Sequence, residues 1–322
     1  MAENNQVATT GQTGLAKLKS ILSAPSVVEQ FQNALAENKN LFIASIIDLY
    51  NGDKSLQECN PTAIVQECLK AAVLDLPINR ALGFAYVVVY KNKVKRTDPQ
   101  TGRTIEVKEP TPTFIPGYKG YIQLAMRTGK YRTINADVVY EGELRTANRL
   151  SGEVCLDGQK KSDKIIGYFC YFELLNGYSK TLYMSVEDMA AYAKRYAPGI
   201  KFKKEVTVAD LIKKANSGIV SNTVGWEGNF NDMALKTVIR RLLSKYGYLS
   251  IKMQSALGHD TEAENRAIAA RNDTLQLADA QPLNLDASEV PYEEVVNEET
   301  GEVTEQPKEA PVTEEAPKEP NY

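Results

Sequence analysis

The chain has 322 residues, 43% of them hydrophobic, enough for a sizeable core, and its net charge of −3 averages two opposite parts. Residues 271–322 hold 14 acidic and 3 basic residues, a net of −11, whereas residues 1–270 hold 35 basic and 27 acidic, a net of +8, so the basic body points to a polyanion partner. A single histidine, His259, and four cysteines without CxxC spacing (Cys59, Cys68, Cys155, Cys170) argue against a zinc site or a histidine-dependent triad, and without a G-x-x-x-x-G-K-[ST] loop no ATP hydrolysis is expected.

Residues 1–25 are expected to be a flexible leader, polar at first, with a short helix over Leu15 to Leu22. The start of the chain lacks the basic-then-apolar pattern of a signal peptide. The longest apolar runs, such as Leu41 to Tyr50, are too short for a bilayer. A bacterial cytoplasm with free thiols, and no membrane, is the expectation. Ser26 to Glu29 has capping-box spacing and predicts a helix to about Glu37, and a second helix follows over Leu41 to Tyr50. Asn60-Pro61 predicts a further helix, ended by Pro77.

Phe84 to Tyr90 reads as a strand, and Lys91 to Glu109 as a charged hairpin turning near Asp98 to Gly102. Its Lys91, Lys93, Lys95 and Arg96 suit either DNA contact or protection of an exposed edge strand. Pro116 to Ala136 then interleaves Lys119, Arg127, Lys130 and Arg132 with Tyr118, Tyr121 and Tyr131 and contains no acidic residue. Ile122, Leu124, Ala125 and Met126 give it an apolar face at helical spacing, with Gly129 as a stop, and such a segment suits a phosphate backbone and stacked bases. Tyr118 and Tyr121 are candidates for stacking and equally for core packing.

Ile134 to Tyr140 predicts a strand, and Asn176-Gly177 predicts a hairpin between Ile165–Leu175 and Lys180–Met184. Glu141 and Glu143, beside Gly142, are the best candidates for a metal or catalytic role, with a turn or an arginine pair as the structural reading. Ser185 and Thr207 are predicted helix caps, and the basic stretch Lys194 to Lys214 is a candidate flexible clamp on DNA. Trp226 fits a structural place at a helix entrance, with base stacking as the alternative. In Asn231 to Tyr246, Leu235, Val238, Ile239, Leu242 and Tyr246 share one face. Asn231 is the expected cap and Gly247 the expected left-handed stop. Lys236/Arg240 and Arg241/Lys245 are spaced four apart without carboxylate partners on that helix, so they repel one another unless an anion approaches.

The patterns G-Y-K-G-Y-I-x-L-A-x-R-T-G (Gly117 to Gly129), A-D-V-V-Y-E-G-E (Ala136 to Glu143), M-A-x-K-T-V-I-R-R-L (Met233 to Leu242) and L-P-I-N-R-A-L-G-F-A-Y (Leu76 to Tyr86) together resemble the RecT family of phage-type single-strand annealing proteins. The resemblance runs from about Ser26 to Leu257. It implies a protein that works without ATP; from the motifs absent, no catalytic residue, metal site or cofactor is expected. Such a protein coats single-stranded DNA and pairs it with a complementary strand into annealed duplex during phage or prophage recombination. It also implies a homo-oligomer, as a ring or helical filament, and a partner exonuclease. Lys119, Arg127, Lys236, Arg240 and Arg241 match basic motif positions for phosphate contact, and Lys130, Arg132 and Lys245 extend that set by position. Phe84 departs from the histidine frequent in the family, and the charged insertion at Lys91 to Glu109 is longer than usual.

The expected fold is α+β: a helical N-terminal part, then a small antiparallel sheet with packed helices forming a basic groove. The binding domain is expected over residues 26–258 and an acidic, largely disordered tail over residues 259–322, which either competes with DNA or recruits a single-strand-binding protein. A phage scaffolding protein and a general nucleic-acid chaperone are the rival readings.

Overall fold

A computed structural model describes residues 14–97, 104–148, 150–201, 203–217, 225–269, 292–296 and 303–307. The chain divides into two units, Met1–Thr274 and Leu275–Tyr322. In the first, helices α1 (Gly14–Leu22), α2 (Pro25–Leu35), α3 (Lys39–Gly52), α4 (Lys54–Gln57) and α5 (Pro61–Val73) close a helical subdomain. Leu18, Phe31, Ile46, Leu56 and Ile64, one from each helix, are wholly buried. Asn60 caps α5 as expected, accepting the Thr62 N–H at 2.9 Å ahead of Pro61. The capping box at Ser26 is not used. Pro25 starts α2 one residue earlier, behind an extended Ala24 whose side chain cannot cap.

Strands β1 (Ala85–Thr97) and β2 (Thr104–Pro116) pair antiparallel from Ala85↔Pro116 to Thr97↔Thr104, the two arms of the expected hairpin, whose turn near Asp98 to Gly102 lies outside the described residues. The chain turns straight into α6 (Tyr118–Met126), whose docking depends on two glycines. The Gly117 N–H donates to the Phe84 carbonyl at 2.9 Å, and a Cβ on Gly117 would lie 2.1 Å from the Gly83 oxygen. A Cβ on Gly120 would lie 2.3 Å from the Phe84 oxygen. Helix propensity alone would make Gly120→Ala stabilising by about 1 kcal/mol. The backbone clash reverses the sign, and we expect denaturant titration of this variant to show a loss of about 1–3 kcal/mol.

The second sheet has the order β3-β6-β7, built from β3 (Tyr131–Tyr140), β6 (Ile165–Leu174) and β7 (Ser179–Ser185). A two-residue pair, β4 (Thr146–Ala147) with β5 (Val154–Cys155), decorates the β3–β6 connection. Asn176-Gly177 makes the predicted turn, with Gly177 at φ 84° and Asn176 accepting the Tyr178 N–H at 3.0 Å. Tyr168, Cys170 and Phe172 point from β6 to one side and are fully buried. Packed on this sheet are α7 (Val186–Tyr196), capped by Ser185 on the Asp188 N–H, and α10 (Phe230–Tyr246). Between them lie α8 (Pro198–Lys201) and α9 (Val208–Asn216), the latter opened by a complete capping box of Thr207 and Asp210. Trp226 is buried edge-on to Phe230, 5.2 Å between ring centroids, the structural place at a helix entrance.

Two features of α10 differ from expectation. The residue before its first turn is Asn229. Asn231 instead accepts the Tyr168 hydroxyl at 2.6 Å and donates to the Ala215 carbonyl at 3.2 Å, tying α10 to β6 and α9. Gly247 is extended, φ −79° and ψ 166°, and not left-handed.

The domain limits also move. Leu18 and Leu22 of α1 are buried, so the folded part begins before residue 26. Helix α11 (Ile251–Ala269) crosses residue 258, because Met253, Ala256, Asp260 and Ala263 pack inward. In the acidic unit, taken by itself, β8 (Tyr292–Val296) pairs antiparallel with β9 (Val303–Pro307), and the expectation of disorder otherwise lies outside the described residues. Among the described residues no helix is long and apolar enough to cross a membrane.

Candidate nucleic-acid interface

The cations of α10 divide into two sets by the direction in which they leave the helix. Lys236 and Arg240 point inward to α11. The Lys236 ammonium lies 2.5 Å from Asp260, whose side chain is only 2% exposed. Arg240 reaches the other Asp260 oxygen at 3.3 Å, Glu264 through both carboxylate oxygens at 2.9 and 3.0 Å, and Thr261 at 2.9 Å. Tyr121, fully buried on α6, donates its hydroxyl to Asp260 at 3.1 Å. Burial and the adjoining Asp260 charge hold that phenol well above its ordinary pKa. Burial opposes the charge of Arg240, but the Asp260 and Glu264 carboxylates more than offset it and raise the guanidinium pKa. The anions that meet Lys236 and Arg240 therefore come from α11, and not from Asp232 four residues before Lys236 on α10. Lys236 and Tyr121 are enclosed by protein, not open to a strand.

Two further candidates are also occupied. Arg127 binds the Leu74 and Asp75 carbonyls at 3.3 and 2.8 Å and the Asp75 carboxylate at 3.3 Å, satisfying the exposed carbonyls after α5. Arg132 pairs with Glu173 across β3 and β6 at 2.9 Å. Three cations of the basic stretch Lys194 to Lys214 are also held by the protein. Lys194 donates to the Lys203 carbonyl at 2.5 Å, Lys203 pairs with Glu227, and Lys214 donates to the Glu227 carbonyl at 3.0 Å. The two glutamates around Gly142 serve a turn. Glu141 accepts the Ser162 hydroxyl and Glu143 the Tyr140 N–H, each at 2.7 Å.

Five cations without an ion-pair partner among the described residues form a row with tyrosines. Lys130 sits over the Tyr248 ring at 5.9 Å, and Lys180 and Lys245 lie 5.5 and 5.3 Å from the Tyr246 ring. Arg241 lies 5.4 Å over Tyr192 and touches the Met184 sulfur at 3.5 Å. Tyr192 packs on Tyr196 at 4.8 Å, and Arg195 covers Tyr196 at 5.3 Å. The Tyr248 N–H donates to the Tyr131 hydroxyl at 2.7 Å, which joins the end of α10 to the start of β3. Among the described residues Lys130, Lys180, Arg195, Arg241 and Lys245 form no ion pair. Tyr246, Tyr248 and Tyr196 keep 38%, 47% and 52% of their surface, leaving ring area for a base to stack on. A row of unpaired positive charge beside aromatic faces can neutralise phosphates and hold unstacked bases.

Of the candidates read from sequence, the row thus brings together Lys130, Arg241 and Lys245. Lys119 is exposed at the other end of α6, 5.9 Å from the half-buried Tyr118 ring. Lys180, Tyr192, Tyr196, Tyr246 and Tyr248 were not among the DNA contacts expected from the sequence, whereas Arg195 falls within the basic stretch Lys194 to Lys214. The Tyr246-Gly247-Tyr248 run directly after a basic helix was the one available signal.

Comparison with known proteins places the chain. The sequence profile of the RecT family matches residues 40–274. The uncharacterized protein YqaK of Bacillus subtilis (strain 168) is 37% identical over 278 residues, covering 86% of this chain and 84% of that protein. The protein RecT of Escherichia coli (strain K12) is 26% identical over 249 residues, 75% of this chain and 79% of its own length. The chain belongs to the RecT family, whose members are annealing proteins of phage-type DNA recombination.

Proposed function

We propose that this RecT-family chain binds single-stranded DNA along the row Lys130–Lys180–Lys245–Arg241–Arg195 and anneals complementary strands without ATP. The observation that carries the proposal is that these five cations lack carboxylate partners among the described residues and alternate with exposed tyrosines, while Lys236 and Arg240 are neutralised internally. The row neutralises the backbone of a bound strand, which screens its repulsion from a complement. Tyr246, Tyr248 and Tyr196 hold bases apart from their neighbours, so an incoming strand can sample register. Pairing then supplies about 1.4 kcal/mol per matched step, by analogy with duplex stacking. The protein's task is to lower a barrier, a role that needs neither nucleotide nor catalytic residue. In the same reading the working form is a homo-oligomer, ring or filament, in the bacterial cytoplasm. A partner exonuclease supplies the strand, and the acidic tail meets a single-strand-binding protein.

Mixing two complementary oligonucleotides with and without the protein tests the proposal. Duplex should form faster with protein, at equal rates with ATP, with a non-hydrolysable analogue, or with neither. A requirement for hydrolysis would overturn the nucleotide-independent mechanism. Failure to bind either strand at moderate salt would favour a scaffolding role.

A further inference from the structure

The turn that joins β6 to β7 stands inside the cation row. The Leu175 N–H donates to the Lys130 carbonyl at 3.0 Å, which fastens the turn to the residue before β3. Lys130 is the cation over the Tyr248 ring. Lys180, two residues after Tyr178, is the cation beside Tyr246. Two members of the row therefore flank the turn. The Tyr178 ring packs on Phe172 at 6.0 Å and Phe172 on Tyr131 at 5.5 Å. The Tyr131 hydroxyl accepts the Tyr248 N–H, so aromatic contacts run from the turn to the end of α10.

The backbone of this turn is specified without apolar side chains. The Leu174 carbonyl accepts from Gly177 at 3.0 Å, and the Leu174 N–H donates to the Tyr178 carbonyl at 2.8 Å. Asn176 and the left-handed Gly177 complete the geometry, and such turns favour short polar residues at their outer positions. Leu175 nevertheless keeps 58% of its surface exposed and Tyr178 43%. A Cβ on Gly177 would meet nothing within 4 Å, so the turn projects into open space. An exposed apolar pair set between two cations calls for a partner that brings both an apolar face and negative charge. A nucleotide brings both, with a flat base one sugar away from a phosphate. A second copy would bring its own basic body, net +8 over residues 1–270, against the same cations.

Resting on the single-strand-binding reading above, we infer that the turn from Leu175 to Tyr178 is a wedge that enters the base stack of the bound strand, with Lys130 and Lys180 on the adjoining phosphates. An apolar wedge between two bases gives up their mutual stacking and replaces it with contact to the inserted side chain. The Tyr178 ring offers a face to the base on one side of the opening. Hydrogen bonds fix the backbone of the turn before a strand arrives, so little ordering entropy is lost on insertion. Leu175 carries no charge, so its contribution to binding is separable from that of the cations by salt.

The test uses an oligodeoxyadenylate with one central 2-aminopurine, whose fluorescence is quenched while it is stacked, saturated with the full-length protein. The wild type should raise the emission roughly twofold or more over the free strand, as an opened stack requires. Leu175→Ser should lose most of that rise and bind roughly fivefold more weakly, the lower end of a base-stacking contact. It should keep the wild-type salt slope, because no cation is removed, and melt at the wild-type temperature. Leu175→Met, still apolar, should keep the rise. A wild type that binds and leaves the emission at the free-strand level would overturn the inference and leave the tyrosine row standing. A rise unchanged in Leu175→Ser would do the same. A change of oligomer size in Leu175→Ser with the rise intact would also overturn it, assigning the turn to a second copy. Absence of binding by the wild type would instead overturn the single-strand-binding reading, and the inference with it.

Discussion

Replacing Asp260 with alanine is expected to destabilise the folded chain by about 3–5 kcal/mol, the cost of removing one member of a buried ion pair. The side chain is 2% exposed and holds Lys236 at 2.5 Å, Arg240 at 3.3 Å and the Tyr121 hydroxyl at 3.1 Å. Its loss would leave a nearly buried ammonium and a buried phenol without an acceptor. Chemical denaturation measures this directly. The double variant Asp260→Ala/Lys236→Met should recover part of the loss, because an apolar chain of similar volume leaves no buried charge unmatched. A loss below about 1 kcal/mol, typical of exposed pairs, would show that Asp260 is a surface residue in solution.

The second large effect is on DNA. Changing Lys130, Lys180 and Lys245 together to alanine should leave the melting temperature near the wild-type value, because none of the three is ion-paired among the described residues. Single-strand affinity should fall roughly a hundredfold at about 0.1 M salt, since each phosphate neutralised contributes about 0.7 to the log–log salt slope. The slope itself should flatten by about 2 for the three sites. Titration of a labelled oligonucleotide at several salt concentrations separates this outcome from unfolding. Affinity lost at constant slope would mean that assembly, and not phosphate contact, had been damaged.

Local features of the fold were legible because neighbouring residues decide them. The Asn60-Pro61 start, the Ser185 and Thr207 caps and the Asn176-Gly177 turn each rest on hydrogen bonds within four residues. The Asn231 cap failed because Tyr168 of β6 and Ala215 of α9 compete for that side chain from far along the chain. The interface was legible only in part for the same reason. Helical spacing places Lys236 and Arg240 on one face but says nothing of Asp260, 24 residues ahead of Lys236, which turns that face into core. The tyrosine row is assembled from the residue before β3, from β7, α7 and α10, and from the segment after α10. Lys180 and Tyr246 meet only once the sheet packs on α10, and no window of sequence contains both. Composition did show that residues 1–270 are basic, and the structure shows which cations the protein's own carboxylates already satisfy.

Arg240 and Arg241 are adjacent in sequence, match the same motif and have different partners, Asp260 and Glu264 for the first and Tyr192 and Met184 for the second, so comparing their alanine variants tests the account most directly. Salt-dependent binding of a single-stranded oligonucleotide, read beside thermal melting, is the measurement. Arg241→Ala should flatten the slope by about 0.7 and melt with the wild type, as befits a cation held only by Tyr192 and Met184. Arg240→Ala should lower stability by about 2 kcal/mol, through its lost charge-assisted bonds to Asp260 and Glu264, and leave the slope of the folded protein unchanged. The reverse pattern, with Arg240→Ala flattening the slope at full stability and Arg241→Ala leaving it unmoved, would contradict the account.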